Sequence, residues 1–310
     1  MKFGIALTTS VSPVFREFEQ KEYILEVAEI SEARGYESVW VSDRTVYPND
    51  IAERYPDQFG KGKADPNSQN VMESLITLSF IAGKTQKLLL GTSVLVLPFR
   101  NPLLNTKMIS TLDVLSDGRL IIGVGTGWMQ EEFDSMGADY PNRGTITDEH
   151  IELIAKSARD SVPSYHGQFI ETTGMKIYPQ NYRGRSVPIW VGGNSDKSLV
   201  RTVKFGSAWH GINLTPSQLK YSRDKLNQIC ETYQRDHSEI STTLRATVKI
   251  TGQPNHQKKG RAYLTGNLDQ IADDLQQYER AGLDYLVISM SGDSTNEVIS
   301  AISKFGDRFI

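Results

Sequence analysis

Short apolar runs alternate with segments of helical periodicity along this sequence. After the first apolar run, at residues 3–7, residues 19–34 place apolar side chains at helical spacing, and Gly35 stands where a helix cap belongs. The alternation recurs about eight times, and the predicted strands are residues 3–7, 38–41, 88–94, 120–124, 187–191, 208–212, 244–250 and 285–289. This pattern predicts an α/β fold, a TIM barrel, with a doubly wound open sheet as the alternative.

Two polar stretches do not fit the alternation and are expected to be insertions. The first is a long loop from Asp43 to about Asn70, and the second contains a Gly- and Thr-rich segment, 165–178, that is typical of a hairpin. Barrels of this class commonly run to 310 residues as one unit. We therefore expect one domain over residues 1–310, with insertions at about 44–70 and 128–185.

Composition and charge exclude several classes of function. The formal net charge is −3 and no basic stripe is visible, which argues against a nucleic-acid binder. No apolar run is long enough to cross a bilayer, and the first residues become polar too quickly for a signal peptide. Cys230 is the sole cysteine, so an internal disulfide is excluded. These features predict a cytoplasmic protein without a membrane or nucleic-acid partner.

The block from Leu88 to Trp128 carries most of the functional signal. Its two apolar runs end in the small-residue clusters 91–93 and 123–127, and the segment between them has helical periodicity. This is one strand, helix, strand unit of a parallel sheet. Small residues at adjacent strand exits are expected to leave room for a flat ligand against the backbone.

The predicted strand ends are poor in acids and in metal ligands. Only Asp43 is well placed for acid chemistry, whereas glycoside hydrolysis needs two carboxylates. Ligand spacing for a metal is absent among the five histidines, which are His150, His166, His210, His237 and His256. Glycines, hydroxyls and Trp128 instead favour a planar cofactor that carries the reactive atom itself.

A phosphate site is predicted after the fifth strand. The apolar strand runs into Gly192-Gly193, and Ser195 opens a helix whose free N–H groups favour an anion. The Gly-rich run 123–127 is a weaker candidate for a dinucleotide fingerprint, because Trp128 stands where that pattern needs glycine.

Several runs together carry a family resemblance. They are WVSD at 40–43, LGTSVLVLPFRNP at 90–102, TLDVLSDGR at 111–119, GVGTGWMQEEF at 123–133, PIWVGG at 188–193, YLTGNL at 263–268 and AGLDYL at 281–286. In order and spacing these runs resemble the bacterial-luciferase-like flavin oxidoreductases and monooxygenases. Within that superfamily they most resemble the branch described as coenzyme F420-dependent.

The resemblance implies a flavin or deazaflavin, F420 or FMN, at the carboxyl ends of the barrel strands. It also implies a non-proline cis peptide at Ser93–Val94 behind the ring. The implied cofactor-binding residues are Asp43, Thr92, Ser93, Val94, Gly127, Trp128 and Glu131 at the ring and its side chain, and Gly192, Gly193, Asn194 and Ser195 at the phosphate.

Three residues are candidate catalytic groups: Asp43, Arg44 and His210. Many F420-dependent relatives carry histidine directly after the aspartate, but here that position is Arg44, which stays protonated and would instead pair with an anionic tail or substrate. Asp43 has the alternative of capping the loop after strand two. His210 has the alternative of a satisfied polar residue at a strand end.

The expected function is hydride transfer between F420 or FMN and a small organic substrate. The runner-up is an FMN-dependent monooxygenase that activates oxygen with flavin reduced by a separate reductase. A flavin-binding barrel without turnover is a third candidate, and a phosphate-binding isomerase, with Lys249 as its sole candidate base, is a fourth. The resemblance also implies a homodimer.

Overall fold

The strands of the computed structural model form a closed barrel. The structure describes residues 1–7, 20–59, 71–255 and 260–310. In chain order the strands are β1 (Lys2–Ala6), β2 (Ser38–Val41), β3 (Leu89–Thr92), β4 (Leu95–Val96), β5 (Leu120–Gly125), β6 (Tyr165–His166), β7 (Glu171–Thr172), β8 (Ile189–Gly192), β9 (Ala208–Ile212), β10 (Ser241–Ile250), β11 (Thr265–Gly266) and β12 (Tyr285–Met290). Eight of them, β1, β2, β3, β5, β8, β9, β10 and β12, pair in parallel in that order, and β12 pairs with β1 to close the circle.

Helices surround the barrel and cover the outer faces of its strands. They are α1 (Gln20–Ala33), α2 (Ile51–Arg54), α3 (Pro56–Phe59), α4 (Ser74–Ala82), α5 (Pro102–Leu115), α6 (Gln130–Met136), α7 (Arg143–Ser157), α8 (Asp196–Phe205), α9 (Pro216–Thr232), α10 (Leu268–Arg280) and α11 (Thr295–Phe309). The apolar faces of the long helices and the outward side chains of the strands form one continuous core. Within the described ranges, no helix has the length and apolar character needed to cross a membrane.

The barrel predicted from the alternation is confirmed, and so is the hairpin, which β6 and β7 form as an antiparallel pair. The predicted third strand was too long, because β3 ends at Thr92 and β4 is a separate short strand after Ser93–Val94. The first insertion was predicted as a loop, but it contains α2 and α3, while its residues 60–70 lie outside the described ranges. The short helix α6 in the second insertion was missed.

Aromatic side chains fill the interior of the barrel. The rings of Trp40 and Trp190 lie 4.5 Å apart, and the ring of Tyr285 meets Trp190 edge-on at 5.1 Å. Gly91 makes room for this layer, since a Cβ built there would lie 2.1 Å from the Trp40 ring. The layer fills the axis of the barrel, and the cavity described below lies beyond it at the carboxyl ends of the strands.

We expect the substitution Gly91→Ala to destabilise the protein, because the new methyl group collides with the buried Trp40 ring. Overpacking of this kind costs about 1–3 kcal/mol. The control is Gly83→Ala, at a helix end with φ −73°, where a Cβ lies 3.7 Å from its nearest neighbour. The free energy of unfolding in urea measures both; equal stability of the two variants would contradict the packing described here.

Candidate active site

A cavity of about 360 Å³ lies at the carboxyl ends of the barrel strands. It brings together nine of the residues predicted from the sequence: Asp43, Arg44, Ser93, Val94, Gly127, Trp128, Gly192, Gly193 and His210. Sequence reasoning missed three further lining residues with chemical importance: Ser42, Glu132 and Arg245. The strand ends named in advance therefore do converge on one space.

Three predicted cofactor-binding residues have other partners in the structure. The Thr92 hydroxyl is buried and donates to the Gly123 carbonyl at 2.8 Å. Glu131 accepts hydrogen bonds from the Tyr55 hydroxyl at 2.7 Å and from Arg54 at 3.1 Å.

The third of these residues, Asn194, binds the backbone of Ile212 through both ends of its amide, at 2.9 and 3.0 Å. None of the three belongs to the cavity lining. Their predicted contact with a cofactor stays a prediction.

The floor of the cavity is built around Val94. The Ser93–Val94 peptide bond is cis, as the family resemblance implied. A Cβ at Gly125 or at Gly192 would lie 2.4 Å and 2.6 Å, respectively, from the methyl groups of Val94. These glycines therefore admit a side chain of the barrel itself, and both also line the cavity. The expectation that small residues at the strand exits leave room for a flat ligand stays a prediction.

Asp43 forms the best-defined ion pair at the cavity. Its two carboxylate oxygens accept from Arg100 at 2.7 and 2.8 Å, and they also accept from the Val96 amide at 3.0 Å and the Ser74 hydroxyl at 3.2 Å. Burial alone would lower the pKa of Arg100, but the carboxylates of Asp43 and Glu73 raise it above its usual value. With its oxygens engaged in this way, Asp43 is suited to fixing the loop after β4 rather than to accepting a proton.

Arg44 is likewise paired, with the buried carboxylate of Glu132. Glu132 also accepts from the Thr45 amide at 2.7 Å, and burial raises its pKa although Arg44 opposes the shift. The Arg44 guanidinium lies 5.1 Å from the centre of the Trp128 ring and 5.2 Å from that of Tyr47. The positive charge of Arg44 is therefore balanced by Glu132, and its guanidinium lies against the rings of Trp128 and Tyr47.

His210 is a neutral hydrogen-bonded group in the structure. The Thr243 hydroxyl donates to the Trp209 carbonyl at 2.9 Å, so it accepts from Nδ1 of His210 at 2.8 Å. Nε2 is then free of hydrogen and accepts from the Ser93 hydroxyl at 2.9 Å. Burial, and next the positive charge of Arg245, lower the pKa of His210 to about 3. The imidazole thus acts as an acceptor that orients Ser93.

Arg245 enters the cavity from β10. It donates to the Ser42 hydroxyl at 2.8 Å, the Ser93 carbonyl at 2.8 Å and the Ser289 hydroxyl at 3.1 Å, and burial lowers its pKa to about 10. The available signal in the sequence was strand alternation, because Leu244 and Ala246 on either side belong to the outer core. An inward position for an arginine could have been read from that alternation.

A second cleft, of about 630 Å³, continues from the cavity through Thr126, Gly192 and Gly193. Ser195 lies in this cleft and caps α8, where its hydroxyl accepts from the Ser198 amide at 3.2 Å. Arg143 also lines this cleft. The predicted phosphate residues Gly192, Gly193 and Ser195 are thus brought to one place, next to the open N-terminus of a ten-residue helix.

The family follows from a comparison with known proteins. Residues 1–255 match the model of the luciferase-like monooxygenases. This chain belongs to that family. The predicted family is therefore confirmed, whereas the assignment to its F420-dependent branch stays a prediction.

Among its relatives is the alkanal monooxygenase alpha chain of Photorhabdus luminescens, which is 24% identical over 79% of this chain and 62% of its own length. The chain spans 62 to 65% of the length of the first curated relatives it matches. Two solved structures share the fold. They are the coenzyme F420-dependent tetrahydromethanopterin reductase of Methanopyrus kandleri (TM-score 0.77, 18% identity, 99% of this chain and 97% of that one) and the oxygenating constituent of 3,6-diketocamphane monooxygenase from Pseudomonas putida, in complex with FMN (TM-score 0.79, 13% identity, 99% and 97%).

We expect Arg100→Gln to destabilise the protein strongly, because it strands the Asp43 carboxylate, whose side chain is 1% exposed. Breaking a buried pair in this way costs about 3–5 kcal/mol. The control, Arg54→Gln, removes an exposed partner of Asp50 and should cost less than about 1 kcal/mol. Urea unfolding followed by circular dichroism compares the two; similar losses would show that the Asp43 pair has no special structural role.

Proposed function

We propose that this chain is an oxidoreductase that uses a flavin or deazaflavin bound in the cavity. The proposal rests on the ion pairs and hydrogen bonds that the acidic side chains and the histidine of the cavity already make. Asp43 and Glu132 are held by arginines, and His210 is neutral with both nitrogens engaged. Since none of these residues is free for acid, base or nucleophilic work, the reactive atom belongs to a bound cofactor.

The lining of the cavity suits the planar ring of a cofactor, and the lining of the adjoining cleft suits its phosphate. The cavity is lined by Val94, by the glycine backbone and by the indole of Trp128, which suits a planar ring. The adjoining cleft offers the N-terminus of α8, with Ser195 and Arg143 on its walls, which suits a phosphate. Because the cavity and the cleft adjoin each other, a cofactor whose ring and phosphate are joined by a short chain could occupy both.

In this proposed function, the residues of the chain bind the cofactor and orient it toward the substrate. When bound, the cofactor supplies hydride transfer to or from a small organic substrate. Asp43 and Arg100 fix the loop that walls the cavity, and Arg44 with Glu132 fixes the facing segment beside Trp128. Ser93 and His210 hold a set of hydrogen bonds under the ring. Such preorganisation excludes water and sets the approach of the substrate.

F420 is favoured by the sequence motifs, and FMN is the alternative. Fold neighbours include the Methanopyrus kandleri reductase, described as F420-dependent, and the Pseudomonas putida monooxygenase, in complex with FMN. The FMN alternative is a monooxygenase that receives reduced flavin from a separate reductase. A binding protein without turnover is the third candidate, supported by the lack of a free acid or base among the described lining residues.

We also propose a homodimer formed through α4 and α5. Helix α4 buries Leu75 and Leu78 against the barrel, yet its opposite side exposes Ile76, at 71%, and Phe80. Leu115, at the end of the neighbouring α5, is 64% exposed. A helix with two apolar faces is usually buried on both of them. We propose that a second copy of this chain packs against the exposed face of α4.

The dimer is tested by Ile76→Lys, which should yield a folded monomer, because a charge at the centre of the exposed apolar face opposes burial. Sedimentation velocity at micromolar concentration measures the assembly state. The control is Tyr221→Lys, at a side chain of similar exposure, 70%, on α9. A monomeric wild type, or an unchanged sedimentation coefficient for Ile76→Lys, would refute the proposed interface.

The phosphate site is tested by Gly193→Val, because Gly193 has φ +121° and a Cβ there would lie 3.3 Å from Ser198. Wild type should bind FMN or F420, and should bind FMN more tightly than riboflavin, which lacks the phosphate. The variant should lose this difference, with at least tenfold weaker FMN binding in equilibrium fluorescence titrations. Its control is Gly174→Val, at φ +68° in open space.

Tight binding of FMN with none of F420 would decide for the FMN alternative. Binding of neither at micromolar concentration would overturn the proposed cofactor class. An unchanged preference for FMN over riboflavin in Gly193→Val would remove the phosphate from this cleft.

A further inference from the structure

Arg245 differs in its partners from Arg44, which also lines the cavity, and from Arg100, which binds the lining residue Asp43. Arg44 is paired with the carboxylate of Glu132, and Arg100 with those of both Asp43 and Glu73. Within residues 1–7, 20–59, 71–255 and 260–310, Arg245 forms no ion pair with a carboxylate. Among the described lining residues, Arg245 is therefore the one cation whose hydrogen-bond partners are all neutral.

The guanidinium of Arg245 is held in a fixed position by neutral oxygens. Nη1 donates to the Ser42 hydroxyl and to the Ser93 carbonyl, both at 2.8 Å, and Nε donates to the Ser289 hydroxyl at 3.1 Å. The side chain is partly exposed and lines the cavity. Although burial lowers its pKa to about 10, the group keeps its proton at neutral pH.

The surrounding groups add no negative charge to offset it. His210 is neutral and accepts the Ser93 hydroxyl hydrogen, so the hydroxyl oxygen is left facing Nη1 of Arg245 at 3.4 Å. Trp40 and Trp190 pack on His210, with ring centres at 5.6 and 5.7 Å, and close this side with apolar surface. A cation with reduced hydration, in a preorganised setting, is a binding point for an anion.

We propose that Arg245 binds an anionic oxygen of the ligand that occupies this cavity, a delocalised oxyanion of the carboxylate, enolate or imidate type. Two sources supply this chemistry. One is the pyrimidine edge of a ring cofactor, which is negatively charged in its reduced form; this case rests on the proposed function. The other is an acidic organic substrate, and this case holds whatever the cofactor is.

The test uses the full chain and the variants Arg245→Gln, which removes the charge, and Arg245→Lys, which keeps it. The control is Arg280→Gln, which removes an exposed arginine charge in the last turn of α10, outside the cavity lining. Benzoate binding at pH 7 is followed by tryptophan fluorescence, because Trp40 and Trp190 adjoin the site. Oxidised and reduced FMN and F420 are titrated anaerobically in parallel.

The expected result is at least a tenfold loss of affinity in Arg245→Gln, with partial rescue in Arg245→Lys and no change in Arg280→Gln. Loss of benzoate affinity identifies the substrate as the source of the anion. Loss of the preference for the reduced over the oxidised ring identifies the cofactor. Either loss supports the site at Arg245.

The proposal is overturned if Arg245→Gln stays within twofold of wild type in both measurements, or if wild type shows neither benzoate binding nor a preference for the reduced ring. If Arg245→Gln does not fold, a crystal of wild type with benzoate decides: a carboxylate on Arg245 supports the site, and one elsewhere or none overturns it. Benzoate bound through Arg245 in a protein that binds neither FMN nor F420 would sink the proposed function alone.

Discussion

The packing of Trp40 against Trp190 inside the barrel decides where a ligand can lie. The two indoles and the Tyr285 ring fill the interior, and Gly91 is needed to admit Trp40. Because this layer fills the axis, the carboxyl ends of the strands form the rim of the cavity. Val94 adds the last part of its floor by resting over Gly125 and Gly192. A planar ring needs such a flat, apolar support.

The charges around this floor are arranged in pairs, with one exception. Asp43 with Arg100, and Glu132 with Arg44, tie together segments that are far apart in the chain, and they do so at the cost of their own reactivity. Arg245 alone among these groups has neutral partners. The site therefore combines segments held in place by ion pairs with one arginine, Arg245, that has only neutral partners. This arrangement suits the binding and orientation of a reactive ligand.

The sequence was sufficient for the barrel because hydrophobic periodicity reports local structure, and the strands lie close to where it placed them. The sequence did not predict which partners the individual site residues contact. Gly192 was noticed, but the occupant of its free space, Val94, depends on packing between strands. Asp43 and Arg100 are 57 positions apart, so their pairing is invisible to local reasoning. The family resemblance implied Glu131, whereas the cavity lining contains its neighbour Glu132, whose position depends on the short helix α6.

We propose that a redox ring lies over Val94, with its phosphate at α8. A crystal structure of the protein with bound FMN or F420 tests this placement. We expect the ring in van der Waals contact with Val94 and a phosphate oxygen within hydrogen-bond distance of Ser195 or of the amides that follow it. A cofactor found instead in the separate cleft of about 700 Å³ lined by residues of α10 and α11 would contradict this placement.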